Sequence, residues 1–492
     1  METLPLTPMQ GWLILACFGV FFFVVTAVFT GRGDRATKEG FLVAGRDLGW
    51  VRTAFSVAAT WIWAPALFVA AQQGYEHGWV GVFWFTVPNI ACLIIFAFFA
   101  QKARVMFPHG FTLSAAARDR YSRRVQIMYI IALIGLAIAS FAVQLLAGAV
   151  VITALTGISF ALVTVALSAI ALSYTLYAGL KGSVVTDWLQ MGIIALVGFG
   201  LSLAVVLAAG VDTLAAGANG IDGTYTSLTS GPGAALFWSF GLSTTIGLLS
   251  GPFGDQSFWQ RAWSVNPKDV RKTFILGAGI FAIVPLVMSM LGFAAAGAKL
   301  EVISPTLTNL TAVIEWLPAW TIVAFLLYVF AGLVSTMSSQ LSALSTFAAH
   351  DMLPAGRTYS DERTVKLARI SMVALAVAAV ALANIPGIAV VQLFIFYGTL
   401  RACTLIPTIM MLTWPRKLSE AGAFYGILGS LITALPLSAY GNLNKDVPFI
   451  VAGSLCAIGV SGLVTVLASI AASRGHEDRA EKRVPVESQR SS

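Results

Sequence analysis

Thirteen stretches of this chain stay apolar over roughly the 20 residues that an α-helix needs to cross a bilayer, and that repetition leaves few folds open. Their approximate limits are 9–30, 48–72, 79–100, 125–154, 158–177, 183–209, 233–254, 273–297, 319–349, 366–384, 387–413, 421–439 and 447–473. In hydrocarbon every backbone N–H and C=O needs a partner inside the protein, so such stretches are read as helices. The expected fold class is an all-α polytopic membrane protein, with one transmembrane domain over 1–473 and a polar, disordered tail over 474–492. Composition agrees: 58% hydrophobic residues, 11% charged and a mean hydropathy of +0.84 lie far from the balance of soluble domains. The first apolar run has no basic stretch before it and is too long for the core of a signal peptide, so it is read as a retained span. Cys17, Cys92, Cys403 and Cys456 all fall inside expected spans and offer neither a disulfide framework nor metal-ligand spacing.

A formal charge of +8 raises nucleic acid as a partner, but the charge is distributed by topology. Alternate loops hold the cations: Arg32, Arg35, Lys38 and Arg46 in 31–47, and Lys102, Arg104, Arg118, Arg120, Arg123 and Arg124 in 101–124. Further basic runs lie at Arg261 to Lys272, at Arg357 to Arg369, at Arg416–Lys417 and in the tail. The opposite loops hold only Lys299 and Lys445. The positive-inside rule then places the N-terminus outside and the C-terminus in the cytoplasm of a multi-pass plasma-membrane protein. The bilayer is the expected partner and nucleic acid is not. No segment reads as a second soluble domain, so a fused kinase or nuclease is not expected.

The second span reads SVAATWIWAPALFVAAQQGY from Ser56 to Tyr75, with Pro65 at mid-depth. Proline removes one backbone donor and clashes with the carbonyl four residues back, near Trp61, freeing carbonyls at Ala59 to Ile62. A packing kink is one reading. The other is that these oxygens face a polar site and coordinate a cation, as broken helices do in transporters. A second segment, AGLVSTMSSQLSALST at 331–346, bears on the choice. Ser335, Ser338, Ser339 and Ser342 recur at spacings of three and four and share a face. An isolated hydroxyl in a membrane helix bonds back to its own carbonyls or eases packing. Seven hydroxyls in about three turns exceed that need, and hydroxyl and carbonyl oxygens without a full carboxylate cage suit Na+ better than Ca2+. Two deep charges remain. Asp187 is a cation ligand, a proton carrier, or a snorkelling interface residue; Arg401 binds an anionic solute group or supports helix-end carbonyls. His77, His109, His350 and His476 all lie in loops or the tail, which leaves a histidine proton relay without support.

These residues resemble the sodium:solute symporter family. The resemblance runs along most of the chain and rests on the order and spacing of GRDLGW before the broken span, GLKGSVVTDWLQ around Asp187, DQSFWQR from Asp255, and VSTMSSQLSALST from Val334. It implies a LeuT-type 5+5 inverted-repeat fold, with repeats at 48–209 and 233–413, one N-terminal and two C-terminal peripheral helices. It also implies a main Na+ site made of the Ala59, Ile62 and Gly332 carbonyls with the Ser335 and Thr336 hydroxyls, Gly332 standing where alanine is usual. A second Na+ site, present in some members, maps onto Asp187, Ser335, Ser338 and Ser339.

For the solute, Thr60, Trp61, Trp63, Phe85, Gln144, Ser243, Thr244 and Tyr397 are candidates to line a mid-depth pocket, though aromatic residues in spans also serve packing. The stretch GLLSGPFGDQ is small and apolar where the sugar-carrying branch is polar and aromatic, and TWIWAPALFVAAQQGYEHGWVGVFWF and DQSFWQ resemble the urea-transporting branch most. A compact neutral solute suits few polar contacts between indoles; Arg401 points instead to an amino acid or small organic acid. The expectation is a Na+-coupled symporter of a small polar nitrogenous solute, with a proton-coupled carrier using Asp187 as the rival and no organic cofactor. A channel or a membrane sensor is a further rival. No nucleophile–base pair, metal cluster or phosphate loop suggests an enzyme.

Overall fold

Thr7 starts the first helix by a capping box: its hydroxyl accepts the Gln10 N–H and the Gln10 side chain accepts the Thr7 N–H. Pro8 follows at the first helical position, where its missing donor costs nothing. The helix so begun, α1 (Pro8–Phe29), is apolar all round and mostly exposed at the rim of the bundle. The computed structural model describes residues 5–302, 304–353, 359–388 and 390–481. Arg357 and the end of the tail, 482–492, lie outside them.

The helices that build the site follow in chain order: α2 (Trp50–Trp61), α3 (Ala64–Met106), α4 (Leu113–Arg120), α5 (Arg123–Thr156), α6 (Phe160–Ile193), α7 (Phe199–Ala209), α8 (Leu242–Leu249), α9 (Gln256–Ser264) and α10 (Val270–Gly297). Then come α11 (Thr321–Thr346), α12 (Asp361–Ala383), α13 (Val390–Ala402), α14 (Leu405–Thr413), α15 (Glu420–Asn444) and α16 (Val447–Glu481). A π-helical turn, Ile194–Gly198, joins α6 to α7. The backbone of α16 runs eight residues into the stretch expected to be a disordered tail.

Eleven continuous helices among the described residues are long and apolar enough to cross a membrane. The two longest, Ala64–Met106 and Phe160–Ala209, each bend at a glycine with non-helical dihedrals, Gly78 (φ 58°, ψ −150°) and Gly179 (φ 57°, ψ −138°). Each bend sits against another chain segment. A β-carbon on Gly78 would lie 2.3 Å from the Ala218 carbonyl oxygen, and one on Gly179 would lie 2.3 Å from that of Phe41. Counted on either side of these bends, the spans number thirteen, as the apolar runs suggest.

Two spans are broken at mid-length, the first of residues 48–209 and the first of 233–413. Between α2 and α3 the backbone is non-helical at Ile62 (φ −83°, ψ 73°) and extended at Trp63 (φ −98°, ψ 175°). Pro65 therefore does not rupture a helix from within, as its mid-span place suggests, but sits in the first turn of α3, a position proline tolerates. Between α8 and α9 the chain unwinds over Ser250–Asp255, a break that the apolar runs alone do not reveal. Helix α9, with the sequence QSFWQRAWS, is buried along its whole length. Arg261 is thus not a loop charge: its side chain is 0% exposed in the middle of the bundle.

Candidate functional site

The break in the second span leaves carbonyls without donors. The last helical bond of α2 runs from the Ile62 N–H to the Ala58 carbonyl (2.8 Å), and the Ala66 and Leu67 N–H groups turn to the Trp63 carbonyl. The Ala64 N–H donates to Gln144 Oε1 (2.7 Å), and Pro65 has no donor. The Thr60, Trp61 and Ile62 carbonyls consequently lack their helical partners at a buried position, where an unpaired polar group costs about 1–3 kcal/mol. Helix α11 lies against them. Thr336 Oγ1 donates to the Thr60 carbonyl (3.1 Å) and lies 3.3 Å from the Gly332 carbonyl. A β-carbon on Gly332 would stand 3.3 Å from the Ile62 carbonyl oxygen and 2.8 Å from Leu67 Cδ1, so glycine here allows the two backbones their close approach. Ala59 is buried in the last turn of α2, beside this group of oxygens.

One turn away, Asp187 of α6 forms the centre of a buried polar cluster. Ser335 Oγ donates to Asp187 Oδ1 (2.5 Å) and Ser56 Oγ to Oδ2 (2.5 Å). Arg261 reaches in from α9, with Nη2 on Asp187 Oδ2 (3.0 Å) and Ser339 Oγ (2.7 Å), Nε on Ser56 Oγ (2.9 Å), and Nη1 on the Ser257 carbonyl (2.9 Å). Ser339 also meets Thr60 Oγ1 (2.9 Å), and Ser338 meets Ser183 Oγ (3.0 Å). The carboxylate–guanidinium pair is fully buried, and its remaining hydrogen-bond capacity is met by hydroxyls and a carbonyl, the condition under which such a pair is tolerated. Ser56, Ser183 and Arg261 join the cluster without having stood out in the sequence. For a second cation to sit on Asp187, the Arg261 guanidinium would have to move.

On the other side of the break is an aromatic chamber. Trp63 packs against Tyr397 (ring centroids 5.0 Å) and Phe394 (5.1 Å), Trp61 packs edge-on to Phe258 (5.2 Å), and Phe85 reaches Phe394 (6.4 Å). The Arg401 guanidinium stands over all three polar-edged rings, 4.3 Å from the Tyr397 centroid, 5.1 Å from Trp61 and 5.3 Å from Trp63. Asp255 holds it from the α8–α9 break: Oδ2 lies 3.6 Å from Arg401 Nη2 and accepts from Gln340 Nε2 (2.9 Å), while Oδ1 caps α9 at the Ser257 N–H (2.9 Å). Two glycines bring these parts together. A β-carbon on Gly254 would lie 3.0 Å from Arg401 Cα, and one on Gly251 would lie 2.3 Å from the Trp61 ring. Gly247 of α8 crosses Gly398 of α13 in the same way, a turn beyond Ser243 and Thr244.

Several polar atoms of this chamber have no hydrogen-bond partner among the described residues, Trp63 Nε1, Tyr397 OH and Arg401 Nε and Nη1, and neither do Ser243 Oγ and Thr244 Oγ1 of α8. All belong to residues no more than 4% exposed. Buried donors of this kind ordinarily have partners, so their concentration here marks a place built for a polar guest. Two of the candidate solute residues face elsewhere. Thr60 spends its hydroxyl on Ser339, and Gln144 spends its amide on the Ala64 N–H and the Ser140 carbonyl (3.0 Å). Asp255, which the sequence offered only as part of a motif, is the missing counter-charge of Arg401.

With this geometry in hand, comparison with known proteins gives three findings. A family model described as the sodium:solute symporter family matches residues 41–429. Among curated proteins, the chain is 24% identical over 382 residues to "Probable urea active transporter 1" of Schizosaccharomyces pombe, covering 70% of this chain and 57% of that one. It is 25% identical over 491 residues to "Urea active transporter" of Saccharomyces cerevisiae, covering 90% of this chain and 66% of that one, so it spans roughly three-fifths of the length of these relatives. Among solved structures, a Na+-coupled sialic acid symporter in a substrate-bound outward-open state matches with a TM-score of 0.73 at 17% identity, over 93% of this chain and 98% of that one. A nucleobase-cation-symport-1 family transporter in a closed conformation matches with a TM-score of 0.58 at 15% identity, over 90% of this chain and 96% of that one. These two likenesses establish the fold.

Proposed function

The chain belongs to the sodium:solute symporter family, and from that premise we propose that it imports a small neutral solute with a carbonyl oxygen, urea or a close relative, together with Na+ by alternating access. The observation that carries the solute class is the Asp255–Arg401 pair. The guanidinium in the aromatic chamber is already charge-balanced by a carboxylate 3.6 Å away, yet Nε and Nη1 remain free to donate. Donors without net charge suit a carbonyl acceptor better than a carboxylate, whose charge would be left uncompensated on burial. Indole and phenol faces supply a flat apolar wall for such a planar guest. The urea transporters among the relatives support the same choice.

Na+ is the second cargo. The Ala59, Ile62 and Gly332 carbonyls with the Ser335 and Thr336 hydroxyls are its ligands in this reading, hard neutral oxygens at the break in the second span. Because the Ile62 carbonyl and the Trp63 ring belong to adjacent residues, an ion that fixes the break also fixes one wall of the solute chamber. That adjacency is the coupling. The Asp187 cluster is the alternative cation position, with Ser338 and Ser339, and Arg261 compensates the carboxylate there. A proton is not needed to neutralise Asp187 while that pair holds, which disfavours the proton-coupled rival. Inverted repeats at 48–209 and 233–413 would rock about the buried sites in a plasma membrane, N-terminus outside. At 100 mV and a tenfold Na+ gradient one ion supplies about 2.3 plus about 1.4 kcal/mol, enough for accumulation of about several hundredfold.

The test is uptake into proteoliposomes under an imposed Na+ gradient, with urea, amino acids and short organic acids as the panel. Na+-dependent accumulation of urea or another neutral amide is expected. Arg401→Gln should reduce that uptake by about tenfold or more through loss of two donors in the chamber. Accumulation of a carboxylate instead, abolished by Arg401→Gln, would establish the organic-acid reading, and solute uptake driven by a pH gradient in Na+-free buffer would overturn Na+ coupling.

A further inference from the structure

The cavities of this molecule include one that the transport cycle does not use. It lies among the ends of three spans on the face of the basic loops, has a volume of about 810 Å3, and is bounded by the start of α5, the loop into α15 and the last membrane turn of α16. Three cations open into it, Arg124, Arg416 and Lys417, against one acid, Glu420. None of the three cations has an ion-pair partner among the described residues. In a second basic cavity of about 670 Å3, two of the four lining cations are engaged, Arg35 with Tyr177 and Arg369 with the Leu176 carbonyl (2.8 Å).

We propose that the Arg124–Arg416–Lys417 cavity binds the headgroup of an anionic glycerophospholipid. Charge sets the sign of the ligand: a net excess of two cations, with the N-terminus of the 25-residue helix α15 beginning at the same wall. What separates a lipid from a free phosphate is the continuation of the cavity. Its apolar side is formed by Phe424, Tyr425 and Ile470. From Ile470 an outward row of exposed residues, Leu467 and Leu463, runs along α16 at helical spacing, away from the charged end and along the apolar length of the span. Tyr425 is 55% exposed and Trp414, just before the basic pair, is 57% exposed, the placing of aromatic residues at a headgroup boundary. An inorganic anion makes no use of that row, whereas two acyl chains lie along it. Basic niches between spans on the cytoplasmic side are where anionic headgroups bind.

The experiment measures thermal unfolding of the purified, delipidated full chain in detergent with added phosphatidylglycerol, phosphatidylcholine or inorganic phosphate. Phosphatidylglycerol should raise the midpoint by several degrees at concentrations where the other two do not. The triple variant R124Q/R416Q/K417Q should lose about a hundredfold in apparent phosphatidylglycerol affinity, the worth of three interfacial cations, while keeping the wild-type midpoint in phosphatidylcholine. Glu420→Gln, which removes only the opposing acid, should tighten the same lipid by about fivefold and carries the test if the triple variant does not fold. An unchanged phosphatidylglycerol affinity in the triple variant, or a loss in Glu420→Gln, would overturn the site. An equal shift from inorganic phosphate would reduce it to a free-anion pocket and refute the lipid.

Discussion

Arg401 and Asp255 show how a membrane protein keeps a charge at mid-depth without disabling it. The pair is 2% exposed on both sides, and each partner has further work: Asp255 caps α9 and accepts from Gln340, while Arg401 spreads over three rings. Removing one partner leaves the other charged and dry, which costs about 3–5 kcal/mol at a buried pair. Asp255→Asn should therefore lower the thermal unfolding midpoint in detergent and abolish uptake together. Wild-type values of both would mean that Arg401 needs no counter-charge. At this scale the sequence is legible where a residue type is out of place in lipid. Asp187 and Arg401 stand out inside apolar runs, and so do the hydroxyls from Ser335 to Thr346. Arg261 and Asp255 do not, because α9 is enclosed by protein on all sides and has no lipid to face. Hydropathy detects helices that meet hydrocarbon, and a polar helix sunk in the bundle reads as a loop.

Among the elements, the break between α2 and α3 depends on more than its proline. Pro65 occupies the first turn of α3, where any residue's N–H would be unpaired by the helix itself. The group that makes the turn affordable is Gln144 of α5, which takes the Ala64 N–H at 2.7 Å. Replacing Pro65 by alanine should leave Na+-dependent uptake within about threefold of wild type. Gln144→Leu, which strands a buried donor at a cost of about 1–3 kcal/mol, should depress it by about tenfold or more. The reverse order of sensitivities in a transport assay would place the cause of the break in the proline. The existence of this break and its freed carbonyls near Ile62 were readable from a proline in an apolar run, but the cap from another span was not, since it depends on tertiary contact. The break between α8 and α9 has its own signal in SGPFGD, two glycines and a proline in six residues, which an average over a membrane-length window dilutes.

On the scale of the whole molecule, both candidate sites are closed to either face. Toward the basic-loop face, the Leu48 N–H bonds the Ser264 carbonyl (3.0 Å), tying the entry to α2 to the end of α9, and Arg46 Nη1 bonds the Gly110 carbonyl (2.8 Å). Toward the opposite face, the Trp79 N–H bonds the Ala218 carbonyl (2.8 Å), the Ile221 N–H bonds that of Tyr75 (2.8 Å), and Tyr75 OH bonds that of Leu300 (2.8 Å). In the proposed alternating-access cycle one of these sets of hydrogen bonds parts while the other holds. The number and order of spans followed from apolar length and loop charge. Which loops fold back as latches did not, because their contacts pair residues 64 to 225 positions apart.

The account rests on a sodium ion held between the carbonyls freed at Ile62 and the hydroxyls of Ser335 and Thr336. Equilibrium binding of radiolabelled Na+ to the purified protein in detergent addresses it without any assumption about the solute. Saturable binding should weaken by about tenfold or more in both Ser335→Ala and Thr336→Ala, with elution profiles unchanged. Wild-type Na+ affinity in both variants would contradict the site and, with it, the coupling drawn from it.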